Sequence, residues 1–151
     1  MMELMKYNRC VVNGVFDLFH VGHVRLLKRA KDMFKEVVVA IDSDELVMQE
    51  KRKPIFSQNE RLEIIKACRY VDDALIVDRS WGPHAYEDSA VNDLMEKYKI
   101  DAAFVAADDL EYIKYWFGHL YDQHRIVIVP RTQGISTTQV IKIVNGDVVN
   151  P

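Results

Sequence analysis

Short apolar runs alternate with stretches of helical period along the chain. Residues 10–12, 36–41, 74–77, 103–106 and 125–129 read as strands. Most are Val- and Ile-rich without polar alternation, the pattern of strands covered on both faces. Residues 23–34 place Val24, Leu27, Ala30 and Phe34 on one side of a helix. Val91, Leu94, Met95 and Tyr98 recur at i, i+3, i+4 and i+7. Ser57 and Glu60 form a capping box that opens a helix over 59–69, each satisfying an orphan amide of the first turn. A last short helix starts after Ser136 and stops at Asn145-Gly146. Strand–helix alternation with no repeat or linker predicts an α/β fold. One doubly wound, five-stranded parallel sheet with helices on both faces would occupy residues 1–151 as a single domain.

In such a sheet, ligands bind beyond the carboxyl ends of the strands, where the strand order reverses. The first loop of that kind is Asn13-Gly14-Val15-Phe16-Asp17-Leu18-Phe19-His20-Val21-Gly22-His23. Gly14 permits a tight turn, and Gly22 leaves room for a ligand close to the backbone. His20 and His23 stand three residues apart at a helix N-terminus, itself an anion site. Both imidazoles can therefore donate to phosphate oxygens on one side. Each alone could be a helix cap, and as metal ligands they lack a third partner of recognisable spacing.

Charge changes this picture by exclusion. The 151 residues carry 20 Lys+Arg against 23 Asp+Glu, a formal charge of −3. A general nucleic-acid or membrane binder needs a basic surface, so an anionic ligand must be held by a local cluster of cations. Cys10 and Cys68 lie in apolar stretches and read as reduced core thiols rather than a disulfide. The start MMELMKYNRC lacks the apolar core of a signal peptide, and no apolar run approaches a membrane span. A cytoplasmic location is the expectation.

The second chemical segment is Arg131-Thr132-Gln133-Gly134-Ile135-Ser136-Thr137-Thr138, after the fifth strand. Arg131 can offer two parallel donors to a phosphate, Gly134 lets the chain turn, and Ser136 and Thr137 present hydroxyls and amides at a helix start. Together with the first loop, this segment resembles the HxGH and RTEGIST motifs of the cytidylyltransferases, with Gln133 in place of Glu. The motif order is kept from the first strand to the last helix, and the resemblance implies a Rossmann-like sheet.

The resemblance also implies roles elsewhere. In similar enzymes a basic segment at Lys51-Arg52-Lys53 grips the triphosphate or the acceptor phosphate. Glu50 stands where the glycerol-phosphate enzymes have a lysine. Cys68-Arg69-Tyr70-Val71-Asp72 resembles the RYVD segment, whose arginine contributes to the nucleotide site near a dimer contact, and Arg61 is a further candidate for a phosphate. Trp81, Asp108 and Tyr112 follow strands three and four, where acceptor and nucleotide are contacted. Ala107 replaces a frequent glycine there.

The implied reaction is transfer of CMP from CTP to a phosphomonoester, with Mg2+ accompanying CTP and with no dedicated metal cage. His20, His23 and Arg131 would be catalytic. Gly14, Val15, Phe16, Asp17, Gly22, Arg69, Asp108, Thr132, Gly134, Ile135, Ser136 and Thr137 would form the nucleotide site. Lys51, Lys53 and Arg61 would hold phosphates, and Trp81 and Tyr112 the acceptor. Glycerol 3-phosphate is the leading acceptor. Phosphocholine or phosphoethanolamine, an adenylyltransferase of the same superfamily, and a nucleotide-binding sensor are the alternatives. A homodimer is implied by resemblance, with neither nucleic acid nor membrane as partner.

Overall fold

A continuous apolar strand must be divided between two cores, and β2 shows how. The structure, a computed structural model, describes residues 8–78 and 90–146. In chain order the elements are β1 (Arg9–Gly14), α1 (Val21–Met33), β2 (Glu36–Asp42), α2 (Asp44–Glu50), α3 (Gln58–Lys66), β3 (Asp73–Val77), α4 (Ala90–Lys97), β4 (Ala102–Ala106), α5 (Leu110–Asp122), β5 (Ile126–Val129) and α6 (Thr137–Val144). Within β2, Val37, Val39 and Ile41 join the core under α1 and α3, which supply Leu27, Ala30 and Ile65. Val38 and Ala40 point the other way, into the core built by Met95 of α4 and Ile113, Phe117 and Leu120 of α5. Each fully buried valine contributes about 1.5–3 kcal/mol, so the run is anchored on both faces.

The five strands are parallel in the order β3-β2-β1-β4-β5. From β1 the chain winds outward through β2 and β3, then returns to lay β4 and β5 on the other side. The crevice at that reversal opens between the carboxyl ends of β1 and β4. The doubly wound parallel sheet predicted from the pattern, Rossmann-like as the resemblance implies, is therefore the one observed. Cys10 is buried and free, with its thiol pushed up to about 12 by burial, and Cys68 is also free. Among the described residues, no helix is long and apolar enough to cross a membrane.

Three details depart from the sequence reading. Helix α1 begins at Val21 rather than at 23, because His20 takes the N-cap position. Helix α3 keeps its Ser57–Glu60 capping box but stops at Lys66. Two helices occupy stretches read only as connections. Helix α2 is capped by Ser43, whose hydroxyl accepts from the Leu46 amide. Helix α5 is capped by Asp109, and Phe117 departs from helical geometry within it. Trp81 lies outside the described residues.

Candidate active site

Loop Val15–Phe19 carries two non-glycine residues in the left-handed region, Phe16 at φ 55° and Leu18 at φ 49°. Such residues persist only where their surroundings over-determine them. Asp17, between the two and only 1% exposed, supplies the constraint. Its carboxylate accepts from the amides of Leu18, Ile55 and Phe56 and pairs with Arg52 at 2.9 Å. Burial pushes this carboxyl up, but the Phe56 and Ile55 amides and the Arg52 guanidinium outweigh it and hold it below the usual carboxylate value. Asp17 was expected in the nucleotide site, where it would orient the first loop. Its side chain faces inward rather than into that site, and it fixes the first loop to the segment after α2.

The histidines do two jobs. His20 caps α1 by accepting the Gly22 amide at Nδ1 (3.0 Å), and His23 Nδ1 accepts the His20 amide (3.2 Å). A ring nitrogen that accepts an amide hydrogen carries no proton, so in each neutral ring the proton sits on Nε2. A third contact agrees. The Thr137 hydroxyl donates to the Asp17 carbonyl (3.0 Å), so toward His20 Nε2, 3.4 Å away, it can only accept. The capping reading and the phosphate reading are thus compatible, since capping uses each Nδ1 and leaves each Nε2 protonated, that of His20 beside the Thr137 hydroxyl.

The rings stack with centroids 3.8 Å apart, and Phe16 and Phe19 pack against His23 at 5.2 and 5.6 Å. Burial pushes His23 down to about 3, and the neighbouring His20 adds to the shift; burial also lowers His20. We therefore expect the carbon-bound ring protons of His23 to hold constant NMR shifts between about pH 8 and about pH 5, with nitrogen shifts of the Nε2–H tautomer in both rings. A His23 midpoint near the ordinary value of about 6.5 would contradict this geometry. The linked stability has a definite sign. The unfolded state binds the extra proton first, so stability is lost as pH falls below about 6.5 toward the folded-state value.

The two glycines of this loop act by absence of bulk. A Cβ on Gly22 would lie 2.8 Å from His20 Cε1 and 3.1 Å from Ile135 Cγ2, so the residue makes room for the His20 ring, and it also lines the hollow that His20 and His23 share. Gly14 ends β1 without a left-handed turn, and a Cβ there would lie 3.0 Å from Phe16 Cε2, so its open face is taken by the Phe16 ring. Gly134, at φ 80°, makes the turn expected of it.

Two hollows meet at the crevice. One, of about 260 Å3, is lined by His20, His23, Arg29, Thr132, Ile135 and Ser136. The other, of about 290 Å3, is lined by Asn13, Asp42, Glu50, Lys51, Tyr112 and Trp116, with Gly14 and Val15 in its floor. Leu26, Ala106 and Arg131 line both. The Arg131 backbone amide donates to Asp108 (3.1 Å), and its guanidinium lies over the Tyr112 ring, 5.2 Å from the centroid. Arg131 is thereby held at the partition. Ser136 caps α6 with its side chain, accepting from Gln139.

The sequence reading missed Arg29, which reaches the smaller hollow and donates to the Pro130 carbonyl (2.9 Å). The signal was spacing, since His23, Leu26 and Arg29 fall three apart on α1. It also missed Asp42 and Glu50. Lys51 reaches the larger hollow, whereas exposed Lys53 does not line either one.

Two expected ligand-binding arginines are placed elsewhere. Arg61 is fully buried and donates to the carbonyls of Phe56, Val15 and Asp42 and to the Asp44 carboxylate, leaving no face for a phosphate. Arg69 lies in the turn before β3 and packs over Tyr70 at 5.8 Å. That turn is joined to the amino end of β2 by the Asp72 amide and carboxylate at Val37. Arg69 thus lies toward the amino ends of the strands, whereas the histidines stand at the carboxyl-end crevice. Among the described residues, no group of three or more His, Cys, Asp or Glu side chains could hold a metal ion.

Comparison with known proteins gives this geometry a family. The cytidylyltransferase-like family model matches residues 11–143. The chain is 37% identical over 138 residues to glycerol-3-phosphate cytidylyltransferase of Bacillus subtilis (strain 168), covering 91% of this chain and 98% of that one. It is 33% identical over 139 residues to choline-phosphate cytidylyltransferase A of Mus musculus, covering 88% of this chain and 35% of that one. Among solved structures it is similar to the lipopolysaccharide core biosynthesis protein of Thermoplasma volcanium GSS1. The TM-score is 0.65 at 24% identity, covering 84% of this chain and 99% of that one.

Proposed function

The chain belongs to the cytidylyltransferase-like family, and on that premise we propose that it transfers CMP from CTP to a small phosphomonoester, with glycerol 3-phosphate as the leading acceptor. The observation that carries the reading is the pair of Nε2–H donors on His20 and His23, beside Arg131 and two adjoining hollows. CTP occupies the histidine hollow and the acceptor the other, so that their phosphates meet at Arg131. An acceptor phosphate oxygen attacks the α-phosphorus in line. The P–O bond to the β-phosphate breaks, and pyrophosphate leaves with the electron pair.

A phosphate is already nucleophilic, so no serine or cysteine is required and catalysis rests on positioning and charge stabilisation. His20 and His23 donate to the α-phosphoryl oxygens as charge develops. Arg29, Thr132 and the amides at the α6 start hold the triphosphate, Arg131 meets the acceptor phosphate where the hollows join, and Lys51 lines the acceptor hollow. Asp17, Gly22 and Thr137 position the histidines. Mg2+ accompanying CTP would offset triphosphate charge, and among the described residues no group of three or more His, Cys, Asp or Glu side chains is placed to cage it. The enzyme is a homodimer in this reading.

The test is pyrophosphate release with CTP and ATP, each paired with glycerol 3-phosphate, phosphocholine, phosphoethanolamine and sugar phosphates. We expect CTP to exceed ATP by at least about tenfold, a difference of roughly 1.4 kcal/mol, with glycerol 3-phosphate the best acceptor. ATP outperforming CTP would make the chain an adenylyltransferase. CTP binding without pyrophosphate from any acceptor would make it a nucleotide-binding sensor.

A further inference from the structure

The two hollows differ in charge in a way the reaction itself does not demand. Arg131 stands where they join, whereas Asp42 and Glu50 line only the larger one. Asp42, the last residue of β2, is 8% exposed. Its Oδ1 accepts from Asn13 Nδ2 at 3.0 Å, and among the described residues no donor reaches its Oδ2. A carboxylate oxygen so placed, in the wall of a hollow and without a protein donor, lacks a hydrogen bond that a ligand can supply. Glu50, at the exposed end of α2, adds a second carboxylate to the same wall.

We infer that Asp42 and Glu50 determine acceptor specificity by accepting hydrogen bonds from hydroxyl groups at the end of the acceptor remote from its phosphate, so that the hollow selects a polyol phosphate. The inference rests on the proposed cytidylyltransferase reaction and extends it to the far end of the substrate. The acceptor phosphate lies toward Arg131, which leaves its tail directed at Asp42 and Glu50. Carboxylates are acceptors only, so they reward a tail that brings O–H donors.

Two observations set a polyol above a quaternary ammonium. The Tyr112 face, which an ammonium cage would need, is covered by the Arg131 guanidinium. Lys51 and Arg131 line the same hollow and balance the charge of Asp42 and Glu50, so it offers no net negative charge to a fixed cation. At about 290 Å3 the hollow is also at the small end of ligand pockets, suited to a short acceptor. Burial raises the Asp42 carboxyl, and Glu50 adds to that rise. In either protonation state, Asp42 retains an oxygen able to accept.

The experiment compares kcat/KM for glycerol 3-phosphate with that for n-propyl phosphate, its hydroxyl-free counterpart, in the intact enzyme, Asp42→Asn and Glu50→Gln. The intact enzyme should prefer glycerol 3-phosphate by about tenfold to a hundredfold. Each variant should lower that ratio by about tenfold, the scale of one hydrogen bond to a charged group, with KM for CTP unchanged. Equal loss on both acceptors, an unchanged ratio, or a preference of the intact enzyme for phosphocholine or phosphoethanolamine would overturn the inference. If Asp42→Asn melts early, Glu50→Gln at its exposed site decides. Absence of pyrophosphate from CTP with every acceptor would overturn the underlying reaction instead. Release confined to acceptors without hydroxyls would overturn only the specificity assigned to the two carboxylates.

Discussion

Replacing His20 by Asn is expected to cut kcat about 10²–10³-fold while changing stability by less than about 1 kcal/mol. The asymmetry follows from the two nitrogens of the ring. Nδ1 caps α1 by accepting the Gly22 amide, and Asn, among the best N-cap residues, supplies an oxygen to the same amide. Nothing in Asn reaches the position of Nε2, so the donor proposed to meet the α-phosphoryl group is lost. His20→Gln should show the converse, returning an amide N–H nearer the Nε2 position while weakening the cap. Turnover and thermal melting measured on both variants separate the functions. Near wild-type kcat in His20→Asn would remove the imidazole from the mechanism. Because the two rings stack at 3.8 Å, loss of both histidines should cost less than the product of the single losses.

The helix cap formed by a histidine explains what could be read from the sequence and what could not. The alternation of Val-rich runs and helical periods suffices for the sheet, because β2 can bury both faces only between two helical layers. The position of the histidines after β1 suffices to place them at the crevice. Their tautomer was not legible, since it depends on the Gly22 and His20 amides and on Thr137, more than a hundred residues away. Helix α2 has only seven residues, too few for a periodic signal, although Ser43 before Asp44 and Glu45 was a usable cap. The aromatic run of α5 lacks clean periodicity and is interrupted at Phe117.

Charge was the poorest guide to role. Lys51, Arg52 and Lys53 are adjacent, yet one reaches a hollow, one neutralises Asp17 and one is exposed outside both. Asp17 and Asp42 are both buried carboxylates at strand ends. The first is saturated by amides and Arg52, and the second retains an open oxygen. Sequence alone does not distinguish them, because the difference lies in the segment around Ile55 and Phe56 that folds back over one and not the other.

Arg61→Met should destabilise the protein by about 3–5 kcal/mol, mainly because three carbonyls lose a buried donor at roughly 1–3 kcal/mol each, whereas the Asp44 carboxylate, about a third exposed, can turn to water. The guanidinium is fully buried and joins four places that the chain brings together only on folding. Its donors reach the carbonyl after β1 at Val15, the carbonyl at the end of β2 at Asp42, the carbonyl before α3 at Phe56, and the Asp44 carboxylate at the start of α2. Methionine fills similar volume but donates nothing, leaving the three carbonyls short of partners. At roughly 2–4 °C per kcal/mol for a chain of this size, the melting temperature should fall by about 10 °C. Arg61→Lys keeps the charge but presents a single nitrogen without the planar fork, so it should recover only part of the loss. A phosphate-binding Arg61 predicts the opposite pattern, with unchanged melting and a raised KM for CTP or acceptor. Because Val15 and Asp42 both line the larger hollow, any kinetic defect that survives in a folded Arg61→Lys enzyme should fall on the acceptor rather than on CTP.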